Sequence, residues 1–403
     1  FVVKSGSAAD PSGKNGLAYL TAALLKKGTE YKTAAQISEE IEFVGGEINT
    51  SVDHDVTYIS GEFLSRDFVK GIELLHDILV KPTFSEDEFE REKRHLISRV
   101  ATLKDEPSYL ANVYFQQYLF GPEHPYGGAV MGKISTIESI TREDVLNFYE
   151  KHYMPNNIIA IIVGDLKVDE VITRLEEMFG DWKPGLLPQA EIPDITPVTG
   201  RRYIIVNRPE LTQAQIRIGN VGIERNHEEY FPVIVTNNIL GGGFTSRLVN
   251  EIRVNRGLSY GVYSNFATYK WSGYFIISTF TKNETTLETI NVALEQLDKI
   301  KKGGVSGDEL KSSENYLAGL FPLRLETPED LARQIFNIEF YGLQKDYVKN
   351  YRKNVYNVSM GDVNRILESL FPYSNLLIVV LGDASKIREQ LLPLGKFEIV
   401  SVD

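Results

Sequence analysis

The sequence predicts an α+β protein made of two homologous halves of about 200 residues, each a mixed or antiparallel sheet covered by helices. Three observations predict it. The chain has 403 residues, too many for one ordinary core, so at least two domains are expected. The chain also repeats itself. "TREDVLNFYEKHYMPNNIIAIIVGD" ends at Asp165 and "SMGDVNRILESLFPYSNLLIVVLGD" at Asp383, and the two align without a gap at an offset of 383 − 165 = 218. "FSEDEFEREKRHLISRV", from 84, and "VSGDELKSSENYLAGLF", from 305, form a second pair at an offset of 221. Finally, strands come early and late in each half with a helical block between, which is not an alternating βαβ array.

The elements follow in order. "FVVKSG", "NTSVDHDVTYISGEFL" and "NNIIAIIVGD" read as the strands of the first half. "GLAYLTAALLKKGT", 16–29, reads as one helix, with Leu17, Leu20 and Leu24 on one face and Gly28 as its stop. Helices are also predicted over 33–45, 66–80, 85–105, 107–119 and 141–151. In the second half "RYIIVNR", "TQAQIRIGNVGI", "YGVYSNFATYKWSGYFIISTF" and "NLLIVVLGD" read as strands. The seam, 181–200, carries Pro184, Pro188, Pro193 and Pro197 with no helical period. The expected boundaries are therefore a first domain over 1–183, a linker over 184–200 and a second domain over 201–403.

Composition excludes several classes. Hydrophobic residues make up 42% and charged residues 24%, a globular balance. A net charge of −12 argues against nucleic acid or an anionic membrane as the main partner. There is no cysteine, hence no disulfide, thiolate metal site or thiol nucleophile. No apolar run is long enough to span a membrane. The compartment stays open between a bacterial periplasm and the cytoplasm, since a cysteine-free chain suits both and the sequence opens on what reads as the end of a strand.

The candidate sites are few. No two of the six histidines stand at i, i+4 on a predicted helix, the spacing that aims two imidazoles at one metal. "DHD", 53–55, offers donors, but strand alternation sets His54 on the face opposite the two aspartates. "LGGGFTSRL", 240–248, lacks the Gly-Lys-Ser/Thr ending of a phosphate loop and the spacing of a dinucleotide turn, so its glycines read as a packing junction. No Gly-x-Ser-x-Gly elbow is present. "EIRVNRGLSYGVYS", 251–264, reads as a helix end followed by a strand, with Arg253 and Tyr260 seven apart. Taken alone they are surface or packing residues. As a pair, a forked guanidinium and a phenol are suited to a peptide carbonyl and to an oxyanion, but they cleave nothing without a nucleophile.

With these pieces in place the whole chain resembles the pitrilysin/insulinase superfamily of inverted zinc peptidases, in the short two-domain branch that includes mitochondrial processing peptidase and bacterial relatives. The resemblance rests on the duplicated halves, the frame of "GLAYLTAALLKKGT", "GGEINTSVDHDVTYISGEFL", "FEREKRHLISRV", "HYMPNNIIAIIVGD" and "LGGGFTSRLVNEIRVNRGLSYGVYS". It implies two domains arranged as a half clam shell. It also implies a His-x-x-Glu-His on the first helix, two zinc ligands and a general base, and a third ligand, a glutamate, some 75 residues on. Here the five motif positions hold Tyr19, Leu20, Thr21, Ala22 and Ala23, and the later pair holds Ser98 and Arg99. The expectation is a degenerate metal site, with no cofactor in this chain. The second-half Arg and Tyr of the family are matched by Arg253 and Tyr260.

The resemblance thus implies a zinc-less subunit of a heterodimeric peptidase, lending Arg253 and Tyr260 to a homologous zinc-bearing partner that acts on an unfolded peptide. Two alternatives stand beside it. One is a structural or assembly pseudopeptidase, as in the core subunits of the respiratory cytochrome complex, or a peptide-binding homodimer. The other is a self-sufficient hydrolase with a relocated metal.

Overall fold

The structure, a computed structural model, describes residues 1–188 and 192–402. The predicted linker has no helix or strand in its described part, while 189–191 and 403 lie outside the described residues. The strands are β1 (Val2–Val3), β2 (Glu47–Val52), β3 (Thr57–Glu62), β4 (Ile158–Ile159), β5 (Arg201–Asn207), β6 (Gln213–Val221), β7 (Val262–Thr268), β8 (Gly273–Lys282), β9 (Leu376–Gly382) and β10 (Phe397–Ser401). The helices are α1 (Leu17–Leu24), α2 (Ala34–Phe43), α3 (Phe68–Val80), α4 (Glu86–Leu103), α5 (Pro107–Phe120), α6 (Ile134–Ser139), α7 (Arg142–His152), α8 (Val168–Phe179), α9 (Tyr230–Asn237), α10 (Thr286–Gly303), α11 (Gly307–Leu320), α12 (Pro328–Tyr341), α13 (Tyr347–Tyr356), α14 (Met360–Ser369) and α15 (Ala384–Leu391).

These elements form two compact units that are not consecutive in sequence. The first holds residues 1–105, 128–193 and 328–336; the second holds 106–127, 194–327 and 337–403. Each has its own apolar core. Helix α5, though N-terminal to the linker, packs on β6 and β9 of the second unit. Arg217 of β6, 1% exposed, fastens it there. Its guanidinium donates to Asn112 Oδ1 at 2.6 Å and to Ser108 Oγ at 2.9 Å. The start of α12 belongs to the first unit, where Phe336 packs edge-on against Tyr58 of β3 with ring centroids 5.3 Å apart.

The sheet of the first unit has the order β2-β3-β1-β4 and is antiparallel throughout. That of the second has the order β10-β5-β9-β6-β8-β7 and is mixed, since β5 runs parallel to both β9 and β10. Dropping β5 and β10 leaves β9-β6-β8-β7, the order of the first sheet read from β4. The predicted repeat is thus a repeat of topology.

Three expectations need correction. "NNIIAIIVGD" forms only the two-residue strand β4, because its one partner, β1, is itself two residues long. Its counterpart β9 is paired on both sides, over seven residues with β5 and five with β6, and is fully buried. The first helix stops at Leu24, four residues before Gly28. The chain there is drawn away by isolated bridges from Gly28 to Thr33 and from Thr29 to Pro82. "DHD" is the turn between β2 and β3, so strand alternation does not govern it. Asp53 accepts from the Asp55 and Val56 amides at 2.8 Å, and His54 Nδ1 bonds to Ser7 Oγ at 3.1 Å. Burial raises the Asp53 carboxyl to about 6. β10 was not foreseen, although Phe397 and Ile399 alternate with Glu398 in "KFEIVS".

Candidate functional site

In the first unit the site is built on α1 and α4, which pack together. Gly16 begins α1 with φ 100°, a left-handed conformation open to glycine, where a Cβ would stand 2.6 Å from Met131 O. The Asp10 carboxylate takes the free amides of Gly16 and Ala18 at 2.8 and 2.7 Å, which fixes the start of the helix. Leu17, Leu20 and Leu24 are buried, as are Thr21 and Ala22, while Tyr19 and Ala23 are half-buried. Tyr19 and Ala23, one turn apart, therefore share a face. On α4, Ser98 and Arg99 are exposed. The structure brings the two ends of the predicted constellation together: the Arg99 guanidinium lies over the Tyr19 ring, 5.8 Å from its centroid. About two turns along α4, Lys27, just past the end of α1, pairs with Glu92 at 2.9 Å.

In the second unit, Arg253 sits in the last turn of a π-helical segment, Val249–Asn255, and a second π-helical turn spans Asn238–Gly242. Such widened turns are frequent at functional positions because they re-aim side chains. Gly241 is required: a Cβ there would lie 2.5 Å from Ser264 Oγ and 2.8 Å from the Ser264 amide of β7. Asn237 seals this contact, donating to Ser264 O at 2.9 Å and accepting from Ser264 Oγ at 2.7 Å.

Two arginines three residues apart have opposite fates. Arg256 is held by Glu251 at 2.9 Å, Glu288 at 3.6 Å and Glu295 at 3.7 Å. Arg253 has no carboxylate partner among the described residues; its guanidinium rests on the Phe244 ring, 4.9 Å from the centroid. Phe244 is itself 71% exposed. Tyr260, 86% exposed, stands just before β7. The backbone on either side of it is pinned, with Thr281 Oγ1 donating to Leu258 O at 2.7 Å and Thr279 Oγ1 to Gly261 O at 2.9 Å. Arg253 and Tyr260 thus stand on one tied-down segment, with Leu258 N donating to Ile252 O at 2.9 Å, and both present their polar heads to solvent. No direct bond joins them. Phe244 escaped the sequence reading; its only signal is a lone aromatic inside a glycine-rich run.

Elsewhere, two buried histidines are structural. His152 bonds to Ser5 Oγ at 2.9 Å and stacks on Phe148, and His124 accepts from the Tyr126 amide at 3.1 Å. Among the described residues no group of three or more His, Cys, Asp or Glu side chains is gathered to hold a metal. No helix among them is long and apolar enough to cross a membrane.

Two α+β units of related topology, with a glycine-rich turn leading to an exposed Arg and Tyr in the second, define a duplicated two-unit α+β class. Residues 1–121 match the family described as Insulinase (Peptidase family M16), and residues 139–317 match the Peptidase M16 inactive domain. A Rickettsia bellii protein named an uncharacterized zinc protease is 30% identical over 306 residues, covering 75% of this chain and 71% of that protein. One of the same name from Streptomyces coelicolor is 27% identical over 367 residues, covering 90% and 79%. The solved structure of a peptidase M16 inactive domain from Pseudomonas fluorescens superposes with a TM-score of 0.87 at 26% identity, over 94% of this chain and 91% of that one. A protease from Helicobacter pylori, at 21% identity, shares the fold with a TM-score of 0.88 over 94% and 92% of the two chains. The chain belongs to the insulinase, or peptidase M16, family.

The family implies zinc, and the positions that the resemblance assigns to its ligands and general base do not fit one. They offer a phenol, two methyl groups, a hydroxyl and a guanidinium, whereas zinc takes imidazole, carboxylate or thiolate. The guanidinium of Arg99, stacked on Tyr19, sets a fixed positive charge beside the locus.

Proposed function

We propose that this chain is the non-catalytic subunit of a heterodimeric zinc metallopeptidase, supplying Arg253 and Tyr260 in trans to the active site of a homologous partner. The observation that carries the reading is an asymmetry. The positions that the resemblance assigns to zinc ligands and the general base hold Tyr19, Ala22, Ala23, Ser98 and Arg99, while the Arg and Tyr matched to the family's second-half pair stand exposed and unpaired. Its neighbour Arg256, by contrast, is neutralised by glutamates.

In this reading the partner's zinc supplies Lewis acidity and an activated water. This chain's residues bind and stabilise. The Arg253 fork donates to a backbone carbonyl of the substrate and fixes its register. Tyr260 donates its phenolic proton in a hydrogen bond to the oxyanion as charge develops. The substrate is an extended stretch of unfolded polypeptide. The outer edge of β2, unpaired in its sheet, gives such a peptide a ladder of backbone donors and acceptors.

The test is a peptidase assay on a quenched peptide with this chain alone, with a zinc-bearing homologous subunit, and with that subunit plus Arg253→Ala/Tyr260→Ala. The expected result is activity in the mixture only, reduced by roughly 10²–10³ in the double variant, with the complex still formed. No gain on mixing, or a double variant as active as the parent, sinks the reading and leaves the structural or assembly role.

A further inference from the structure

Ion pairs three or four positions apart run along most of the exposed helices. Arg91 pairs with Glu88 on α4, Arg174 with Glu177 on α8, Lys299 with Glu295 and Lys302 with Asp298 on α10, Arg333 with Glu329 on α12, and Arg365 with Asp362 on α14. In a sequence with 55 acidic and 43 basic residues, a cation readily finds such a neighbour.

Helix α13 is the exception. Lys349, Arg352, Lys353 and Tyr356 are exposed at i, i+3, i+4 and i+7, which is one face of the helix, and Lys345 is exposed just ahead of it. None of the four cations has an ion pair among the described residues. The one carboxylate of the segment, Asp346, accepts from the Asn350 side chain. The opposite face, Tyr347, Tyr351 and Val355, is buried. Folding gains little from this stripe. Like charges three or four positions apart repel. Lys349 stands in the first turn, where the helix dipole disfavours a cation and no acidic residue offsets it. Lys353, in the last turn, is the one the dipole favours.

The elements packed on α13 add apolar tips. Phe321 stacks on Tyr351 with ring centroids 3.8 Å apart, which holds the turn Phe321–Leu325 beside α13 with Leu323 exposed. Helix α11 also packs on α13, with Tyr316 exposed and the Lys311 ammonium 5.0 Å from the centre of the Tyr356 ring. Glu314 neutralises Lys311, so the free charge stays on α13.

We propose that this face is a peripheral docking surface for the headgroups of an anionic lipid bilayer. Charge and composition choose that occupant. Three of the four cations are lysines, which protein interfaces deplete and which lipid phosphates accept as mobile point charges on flexible stems. Exposed Tyr and Leu among cations is the mixture that settles at a headgroup boundary. The net charge of −12 keeps the contact weak without forbidding it. At physiological salt, charges more than about 8 Å away are largely screened, so the bilayer meets the stripe and not the distant carboxylates. The proposal does not depend on the peptidase reading.

The test is co-sedimentation of the whole chain with vesicles of phosphatidylcholine, and of phosphatidylcholine and phosphatidylglycerol in equal parts, at low and at physiological salt. Binding is expected to the mixed vesicles only, weakening as salt rises. Each cation near an anionic surface is worth about fivefold in partition, so Lys349→Gln/Arg352→Gln/Lys353→Gln should lower it at least about tenfold. Lys349→Arg/Lys353→Arg keeps the charge and should keep the binding. Lys167→Gln/Lys299→Gln/Lys302→Gln removes the same net charge from paired sites and should change partition less than about twofold. The stripe variant, relieved of repulsion, should melt no lower than the parent, which separates lost binding from lost fold. No binding to the mixed vesicles at low salt overturns the proposal. So does an equal loss in the stripe variant and the paired-site variant, which would report net charge alone. Stripe-dependent binding of a polyglutamate peptide or a single-stranded oligonucleotide, tighter than to the vesicles, also overturns it and assigns the face to an acidic protein or to nucleic acid.

Discussion

Arg253 and Arg256 show how little residue type decides by itself. They lie three positions apart on one π-helical segment and its cap, yet three glutamates hold one and an exposed phenylalanine ring carries the other. The unpaired guanidinium is the one the resemblance marks. Arg99 is the mirror case: a cation placed where a zinc ligand is expected, resting on Tyr19. His152 gives a prediction at this scale. It is buried against Phe148 and bonded to Ser5, and burial, with Lys151 adjacent, lowers its pKa from 6.5 to about 4. Because the folded-state value lies below the unfolded one, its contribution is fully present above pH 6.5 and is lost as pH falls through 4. The first unit should therefore lose up to about 3 kcal/mol across that window. A His152 NMR titration with a midpoint near 6.5, or pH-independent unfolding of the first unit, would contradict this.

At the scale of elements, the glycine-rich run is legible as a junction in the sequence, but its purpose is not. The structure turns it into a π-helical turn pressed onto β7, which sets the positions of Phe244 and, further on, Arg253. Gly241→Ala drives a methyl group into Ser264 and Leu248. Overpacking of this kind should cost about 1–3 kcal/mol in urea unfolding of the second unit. In the mixed peptidase assay it should lower activity beyond what the lost stability explains. Unchanged unfolding would mean that the contact yields easily. Helices α2, α4, α5 and α7 fall within three residues of their predicted ends because local signals fix them. Capping boxes at Thr33 and Thr141, a proline in the first turn of α5 and an acidic first turn in α4 are all readable from sequence. β4 was over-read because a run of apolar residues states that a strand can be buried, not that a neighbour is there to pair with it.

For the whole molecule, the repeat is the deepest signal, and it carries to the topology of two sheets. The expected lack of zinc chemistry in this chain is also argued at this scale, since it rests on positions on two helices. The purified chain, dialysed against micromolar zinc, should hold well under one equivalent by atomic absorption, because none of the aligned positions offers a zinc donor. A stoichiometric, tightly held zinc would point to a relocated site and revive the self-sufficient hydrolase.

The sequence by itself determined the duplication, the ends of α2, α4, α5 and α7 and the family, because each depends on residues close in the chain or on a pattern repeated along it. Tertiary structure alone decided the rest. It assigned α5 to the second unit through buried Arg217, laid Arg99 over Tyr19, and left Arg253 unpaired beside a neutralised Arg256. Most of these depend on residues far apart in sequence. Whether such groups meet depends on how completed elements pack, and no local period or motif encodes that.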